Sequence, residues 1–127
     1  MMDKTGESKF FEILNRRASG EISFADFLEE LVKIGIYEYE IDVATGQATY
    51  KGGETEIKTD PQINLMVSEK FDRNKALAAI ANISLHFLDF LQELADAGIK
   101  SYSVFIPTKK VEYISINGEV IVDKLKL

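Results

Sequence analysis

The sequence predicts an α+β fold, a two-layer sandwich in which helices cover one face of a mainly antiparallel sheet. Three observations predict it. The chain has 127 residues, of which 46% are hydrophobic and 28% charged, as is typical of one globular domain. Amphipathic helical segments are followed by segments in which apolar and polar residues alternate. This order of segments occurs twice along the chain.

The duplication is visible in residues 24–50 and 87–113, which align without a gap at a shift of 63 residues. Eleven of the 27 aligned pairs are identical, where chance would give about two. The identical pairs are Phe24/Phe87, Asp26/Asp89, Phe27/Phe90, Leu28/Leu91, Glu30/Glu93, Leu31/Leu94, Gly35/Gly98, Ile36/Ile99, Tyr39/Tyr102, Thr45/Thr108 and Tyr50/Tyr113. We expect residues 1–127 to form a single domain of two tandem ααββ-type repeats with pseudo-two-fold symmetry. The repeats span about 8–58 and 72–125, and the connector spans about 59–71.

Helical periodicity and capping residues predict two helices in each repeat. Residues 8–17 form an amphipathic segment that ends at a Ser-Gly pair. The second helix is expected to begin after Ser23, a good N-cap residue. Asp72 is the predicted N-cap of the third helix, and His86 occupies the position that corresponds to Ser23. Gly35 and Gly98 should end the second helix of each repeat with positive φ.

Alternation predicts the strands. In residues 36–43 the apolar side chains share one face and the acidic ones share the other. Four-residue turns at 44–47 and 107–110 would place Ile41 opposite Tyr50 and Val104 opposite Tyr113. Residues 53–58 and 119–125 are expected to add a third strand to each repeat, the latter after an Asn-Gly turn. Residues 63–67 form either a short strand or a segment that packs across the helices.

Composition excludes several classes of function. There is no cysteine and one histidine, so disulfides and metal sites built from cysteine or several histidines are excluded within one chain. The net charge of −6 argues against nucleic-acid binding. Residues 1–9 lack the apolar core of a signal peptide, and the longest purely apolar run, 76–81, is too short for a membrane span. We therefore expect a cytoplasmic protein with no membrane association and no cofactor.

Residues 19–42 (SGEISFADFLEELVKIGIYEYEID), 48–50 (ATY), 89–105 (DFLQELADAGIKSYSVF) and 111–113 (VEY) resemble the YdfO-like, or YbcV-like, family of small bacterial domains. It is a domain family of unknown function that includes prophage-carried proteins, and some members bear the label "phage envelope protein". A Gln and a Gly commonly precede the second helix of the second repeat in that family, where this chain has residues 82–86 (NISLH). The resemblance implies a two-layer α+β fold in the cytoplasm and no catalytic residues.

Four tyrosines, Tyr39, Tyr50, Tyr102 and Tyr113, occupy equivalent places on the apolar strand faces of the two repeats. Rings with one polar atom in such positions either pack in the core or line a cleft between the repeats. Such a cleft would suit a small planar ligand.

The acidic strand face formed by Glu38, Glu40 and Asp42 is the second candidate site. All the excess negative charge lies in residues 1–63, which carry seven basic and thirteen acidic residues. The face is either a solvated sheet surface or a docking face for a basic partner.

Other carboxylates and the histidine have structural interpretations. Asp26 and Asp89, with Glu30 and Glu93, recur in both repeats, and we expect capping and solvated helix positions for them. His86 lies near Ser84 and Asp89, but the sequence has no nucleophile-elbow motif. We therefore expect an N-cap or exposed histidine.

These observations favour a binding or interaction protein over an enzyme, because no nucleophile, base and orienting group can be named together. Its partner would be another protein or a second copy of the chain, and the protein would be prophage-derived. The alternatives are a small-molecule-binding domain or minor enzyme that uses the tyrosine-lined cleft, and an acidic decoy that occupies a basic surface of a host protein.

Overall fold

The computed structural model describes residues 4–53, 55–82 and 85–125, and twice along the chain two helices precede three strands. In order, the elements are α1 (Lys4–Ala18), α2 (Phe24–Lys33), β1 (Glu38–Asp42), β2 (Ala48–Gly52), β3 (Thr55–Lys58), α3 (Arg73–Ala81), α4 (Phe87–Asp96), β4 (Ile99–Phe105), β5 (Lys110–Ser115) and β6 (Val120–Lys124). Across these ranges, no helix combines the length and apolar character needed to cross a bilayer.

All six strands form one antiparallel sheet in the order β3-β2-β1-β4-β5-β6. β1 and β4 pair at the centre, with Glu38 opposite Phe105 and Asp42 opposite Ser101. The first three strands therefore form one half of the sheet and the last three form the other. The α+β class expected from the sequence is confirmed.

The register within the β1–β2 hairpin differs from the sequence prediction. Tyr39 lies opposite Tyr50, so the predicted pairing of Ile41 with Tyr50 is wrong. The turn begins one residue earlier than expected, because the amide of Asp42 donates to the carbonyl of Gln47 at 2.9 Å. A shift of the pairing by two residues keeps every side chain on its face, so alternation could not distinguish the two registers.

The β4–β5 hairpin departs from the prediction in the same way. Tyr102 lies opposite Tyr113 and Val104 lies opposite Val111, so the predicted pairing of Val104 with Tyr113 is also wrong. In both hairpins the true register sets two tyrosines side by side on the same face of the sheet.

Local signals in the sequence explain where the helices begin and end. The side chains of Ser23 and Asp72 accept hydrogen bonds from the amides of Asp26 and Lys75, each at 3.1 Å, so both predicted N-caps are confirmed. His86 is the N-cap residue of α4 but makes no side-chain capping bond. The 63–67 segment forms no strand. Its alternate apolar side chains pack against the core instead.

The helices cover one face of the sheet in two pairs, α1 with α2 and α3 with α4. The core lies between this helical layer and the inward side chains of the strands. Its largest fully buried side chains are Phe10, Leu31, Ile36, Leu91, Leu94, Ile99 and Val43. The buried inward face of the sheet, with the helices above it, positions the cavity described next.

Candidate functional site: a tyrosine-lined cavity

A cavity of about 640 Å³ lies between the helical layer and the sheet. All four helices contribute to its wall, together with five of the six strands. The helical side chains are Leu14, Asn15, Arg17, Ala18, Phe24, Phe27, Ile80, Phe87 and Phe90, and the strand side chains include Tyr39, Ile41, Ala48, Tyr50, Tyr102, Val104, Val111, Tyr113 and Asp123. A mostly apolar wall, a few polar groups and this volume are typical of small-molecule sites.

The structure brings the four tyrosines of the sequence prediction onto the wall of this one cavity. The ring centroids of Tyr39 and Tyr50 are 5.0 Å apart, and those of Tyr102 and Tyr113 are 5.4 Å apart. The central β1–β4 pairing joins the two tyrosine pairs, because it sets Tyr39 opposite Val104 and Tyr102 opposite Ile41. The two tyrosine pairs thus lie on the same face of the sheet, on either side of its central strand pair.

Phenylalanines of the helical layer hold these rings from above. Phe10 of α1 makes an edge contact with Tyr50, with centroids 4.8 Å apart. Phe90 of α4 makes edge contacts with Tyr102 and Tyr113 at 5.9 and 6.4 Å. Edge-to-face geometry of this kind is the favourable arrangement for aromatic pairs. It fixes the orientation of the tyrosine rings without using their hydroxyl groups.

The four hydroxyl groups remain available inside the cavity. Within the described residues, no hydrogen bond engages any of them, and no fully buried polar side-chain atom lacks a partner. Each of the four tyrosines lines the cavity, where water or a ligand can reach its side chain. The tyrosine residues themselves are buried, with only 6–7% of their surface exposed.

Burial makes these hydroxyls harder to ionise than an ordinary phenol. Loss of solvation raises the pKa of Tyr50 to about 12, and burial with the nearby Asp123 carboxylate raises the pKa of Tyr113 to about 12. Burial, followed by the proximity of the other tyrosines, raises the pKa of Tyr39 and of Tyr102 further above the ordinary value for a phenol. At neutral pH all four groups can both donate and accept hydrogen bonds.

Arg17 is a functional candidate that the sequence analysis missed. Its side chain lines the cavity near the end of α1, and its positive charge opposes the rise in the pKa of Tyr39. The guanidinium donates from Nη1 to the carbonyl of Ile22 at 3.1 Å and lies 5.8 Å from the ring centre of Phe24. A signal was present in the sequence, because Arg17 follows Ile13 by four residues and shares its apolar helix face.

The acidic strand face lies on the other side of the sheet from the cavity. Glu38 and Glu40 point to the uncovered face, where Glu38 lies opposite Lys51 of β2. Asp42 accepts a hydrogen bond from the Thr45 hydroxyl at 2.6 Å and so helps to close the β1–β2 turn. Lysines from β2, β3, β5 and β6 share this face, so its charge is mixed. A docking role for the acidic strand face stays a prediction.

The remaining candidates form no site within the described part of the chain. His86, Asp26 and Asp89 have exposed side chains at the starts of their helices. Ser84 lies outside the described residues. Within the described ranges, no three His, Asp or Glu side chains come together to hold a metal ion.

A second depression, of about 890 Å³, runs along the outer side of α1 and differs in character from the cavity. Charged and polar side chains dominate its wall, including Glu7, Glu12, Arg16 and Glu21. Arg16 there forms an ion pair with Glu21 at 3.6 Å. None of the tyrosines or strand acids singled out by the sequence lies in this groove, and it offers little apolar enclosure for a ligand.

No protein-family model matches the chain, and no curated protein matches it in sequence. The resemblance to the YdfO-like family therefore stays a prediction, and the site must be interpreted from its own geometry.

Proposed function

We propose that this protein is a non-enzymatic binding protein that holds a small, mostly apolar molecule in the tyrosine-lined cavity. The observation that carries this proposal is the placement of four neutral tyrosine hydroxyls on the wall of one cavity of about 640 Å³. The rings provide flat apolar contact area, and the hydroxyls provide a few directed hydrogen bonds. A planar molecule with one or two polar groups matches this combination.

The chemistry of the wall supports binding more than catalysis. The cavity wall contains no histidine and the chain contains no cysteine, so an imidazole base and a thiol nucleophile are missing from the described wall. A tyrosine whose pKa is about 12 is a poor proton donor at neutral pH. The hydroxyls are suited to hydrogen bonding and not to proton transfer.

The site would have arisen by internal duplication, with one tyrosine pair from each repeat around a pseudo-two-fold axis. The repeated element order and the central β1–β4 pairing support this proposal. Gly46 and Lys109, equivalent under the shift of 63 residues, both have positive φ, although Lys109 is not a glycine. Two half-sites meeting at the repeat junction would explain why the ligand wall is made of paired rings.

The resemblance to the YdfO-like family adds a biological setting to the proposal. A prophage-derived protein of the cytoplasm with these repeats would bind a molecule of its bacterial host. The segments that carry the resemblance contain all four tyrosines and the glycines that end α2 and α4.

Native mass spectrometry of the purified protein, followed by titration with the fluorescent apolar probe N-phenylnaphthylamine, tests the proposal. We expect a co-purified small molecule or saturable one-to-one probe binding. Ala18→Trp places a large ring at the cavity wall and should weaken probe binding at least tenfold, because the probe and the new ring compete for the same volume.

Ala81→Trp is the matched control. Ala81 is the exposed last residue of α3, as Ala18 is the exposed last residue of α1, but Ala81 does not line the cavity. Probe binding by this variant should equal that of the wild type. Equal binding by the Ala18 and Ala81 variants, or no binding by the wild type, would contradict the proposed function.

A further inference from the structure

The helical side of the cavity wall has one cationic group among the described residues, Arg17, which lies exposed at the rim of the cavity. Arg17 makes no ion pair with a described carboxylate, whereas the adjacent Arg16 is paired with Glu21 at 3.6 Å on the outer side of α1. The bond to the Ile22 carbonyl uses one of the five N–H groups of Arg17, and the contact with the Phe24 ring uses a face of the guanidinium. The other donors remain free in the described structure.

These contacts preorganise the Arg17 side chain to bind an anion. The hydrogen bond and the ring contact restrict the side chain before any ligand arrives, which lowers the entropic cost of binding. The planar guanidinium presents parallel N–H groups that match the two oxygens of a carboxylate or sulfonate. The adjacent wall is apolar and aromatic, so a ligand ring can lie against it while the acidic group contacts the exposed guanidinium.

The strand side of the cavity wall has a negatively charged side chain. Asp123 of β6 lies on the cavity face, across from Val111, and its charge contributes to the raised pKa of Tyr113. A second anionic group on the ligand would be repelled there. Lys124 also borders the cavity, but it follows Asp123 on the strand, so its side chain belongs to the other face of the sheet. The rest of the wall is uncharged.

We infer that the ligand is an amphipathic aromatic monoanion whose acidic group binds Arg17 and whose neutral ring system lies against the tyrosines. This inference rests on the proposed function, which requires only that the cavity binds an apolar molecule. It adds the charge of the ligand and the residue that selects it.

Two probes that differ by a single anionic group test the inference. Anilinonaphthalene sulfonate carries the same fused rings as N-phenylnaphthylamine with a sulfonate added. The wild-type protein should bind the sulfonate probe about tenfold more tightly than the neutral one at low salt, as one charge-assisted contact implies. Added salt should reduce this preference.

Variants at adjacent arginines assign the preference to one residue. Arg17→Gln should weaken binding of the sulfonate probe about tenfold and leave binding of the neutral probe within twofold of wild type. Arg17→Lys should restore part of the loss, because it keeps the charge without the planar fork. Arg16→Gln removes the same charge from the same helix and should change neither affinity.

The outcomes separate the two proposals. If the neutral probe binds as tightly as the sulfonate probe, or if Arg17→Gln weakens both equally, the anion inference is overturned and the ligand cavity stands. If the Ala18→Trp substitution weakens the binding of neither probe, the proposed function fails as well. A preference for the sulfonate probe that Arg16→Gln also abolishes would assign it to the outer groove and overturn the inference.

Discussion

At the scale of single residues, each of the four cavity tyrosines combines a buried ring with a position on the cavity wall. Their rings are buried deeply enough to raise the pKa of each phenol, yet their hydroxyls keep access to the cavity. The hydroxyl that would otherwise need a protein partner is left for water or a ligand. The four tyrosine side chains together, and no single residue, give the cavity its capacity for hydrogen bonding.

The raised pKa values predict that the protein loses stability at high pH. In the unfolded chain a tyrosine ionises near pH ~10, whereas Tyr50 and Tyr113 in the folded protein have a pKa of about 12. The folded state therefore binds more protons between these values. This contribution is complete below pH ~10, and each tyrosine removes about 1.4 kcal/mol of unfolding free energy per pH unit above it.

Urea unfolding between pH 8 and 11 measures how steeply the unfolding free energy falls with pH. Above pH ~10, the fall for Tyr50→Phe should correspond to about one proton fewer released on unfolding than for the wild type. Tyr37→Phe is the control, since Tyr37 is exposed and lies outside the cavity. A slope that Tyr50→Phe leaves unchanged would show that the Tyr50 hydroxyl is not protected from ionisation.

Substitutions at the glycines that end α2 and α4 distinguish the stability cost of backbone strain from the cost of steric crowding. Gly35 has φ of +87° and Gly98 has φ of +83°, which confirms the positive φ expected from the sequence. An added Cβ at Gly35 meets no atom within 4 Å, but at Gly98 it would lie 2.8 Å from the backbone carbonyl oxygen of Lys70. Gly35→Ala should cost about 1 kcal/mol, and Gly98→Ala should cost at least about twice as much. Chemical denaturation of both variants checks the difference, and equal losses would rule out the crowding at Gly98.

At the scale of elements, the sequence predicts the starts of α2 and α3 and the strand faces well because the signals are local, whereas α1 begins at Lys4, four residues before the predicted segment. Ser23 and Asp72 identify the first residues of two helices through one side-chain bond each. Hairpin register was predicted wrongly because it depends on which backbone groups close the turn. Asp42, Thr45 and Gly46 close the first turn through an arrangement that the alternation of side chains does not specify.

The start of α4 offers a stabilising substitution. His86 is the N-cap residue there and makes no side-chain bond, whereas Ser23 at the equivalent position of α2 accepts one from the amide of Asp26. His86→Ser should raise the unfolding free energy by about 0.5–1 kcal/mol, because a serine oxygen can accept from an amide of the first turn. Thermal and urea unfolding measure this gain. The reciprocal change Ser23→His should lose a similar amount, and a loss in both variants would contradict the capping account.

At the scale of the whole molecule, the sequence analysis paired the tyrosines of the two predicted repeats and left open whether they pack in the core or line a cleft. That pairing is a prediction from identities such as Tyr39/Tyr102 and Tyr50/Tyr113 at a shift of 63 residues. The cavity depends on how two helix pairs sit over a six-stranded sheet, and that arrangement comes from tertiary packing. The role of Arg17 also depends on tertiary packing, because its partners Ile22 and Phe24 lie beyond the end of α1. The sequence analysis therefore did not identify it.

Fluorine NMR of the protein labelled with fluorotyrosine, during titration with N-phenylnaphthylamine at neutral pH, tests the ligand site most directly. The chain has five tyrosines, of which four line the cavity and Tyr37 lies outside it. We expect the resonances of Tyr39, Tyr50, Tyr102 and Tyr113 to shift together and saturate with one affinity, while that of Tyr37 stays in place. A titration that shifts Tyr37 alone, or that shifts none of the four cavity resonances, would contradict a ligand site in the tyrosine-lined cavity.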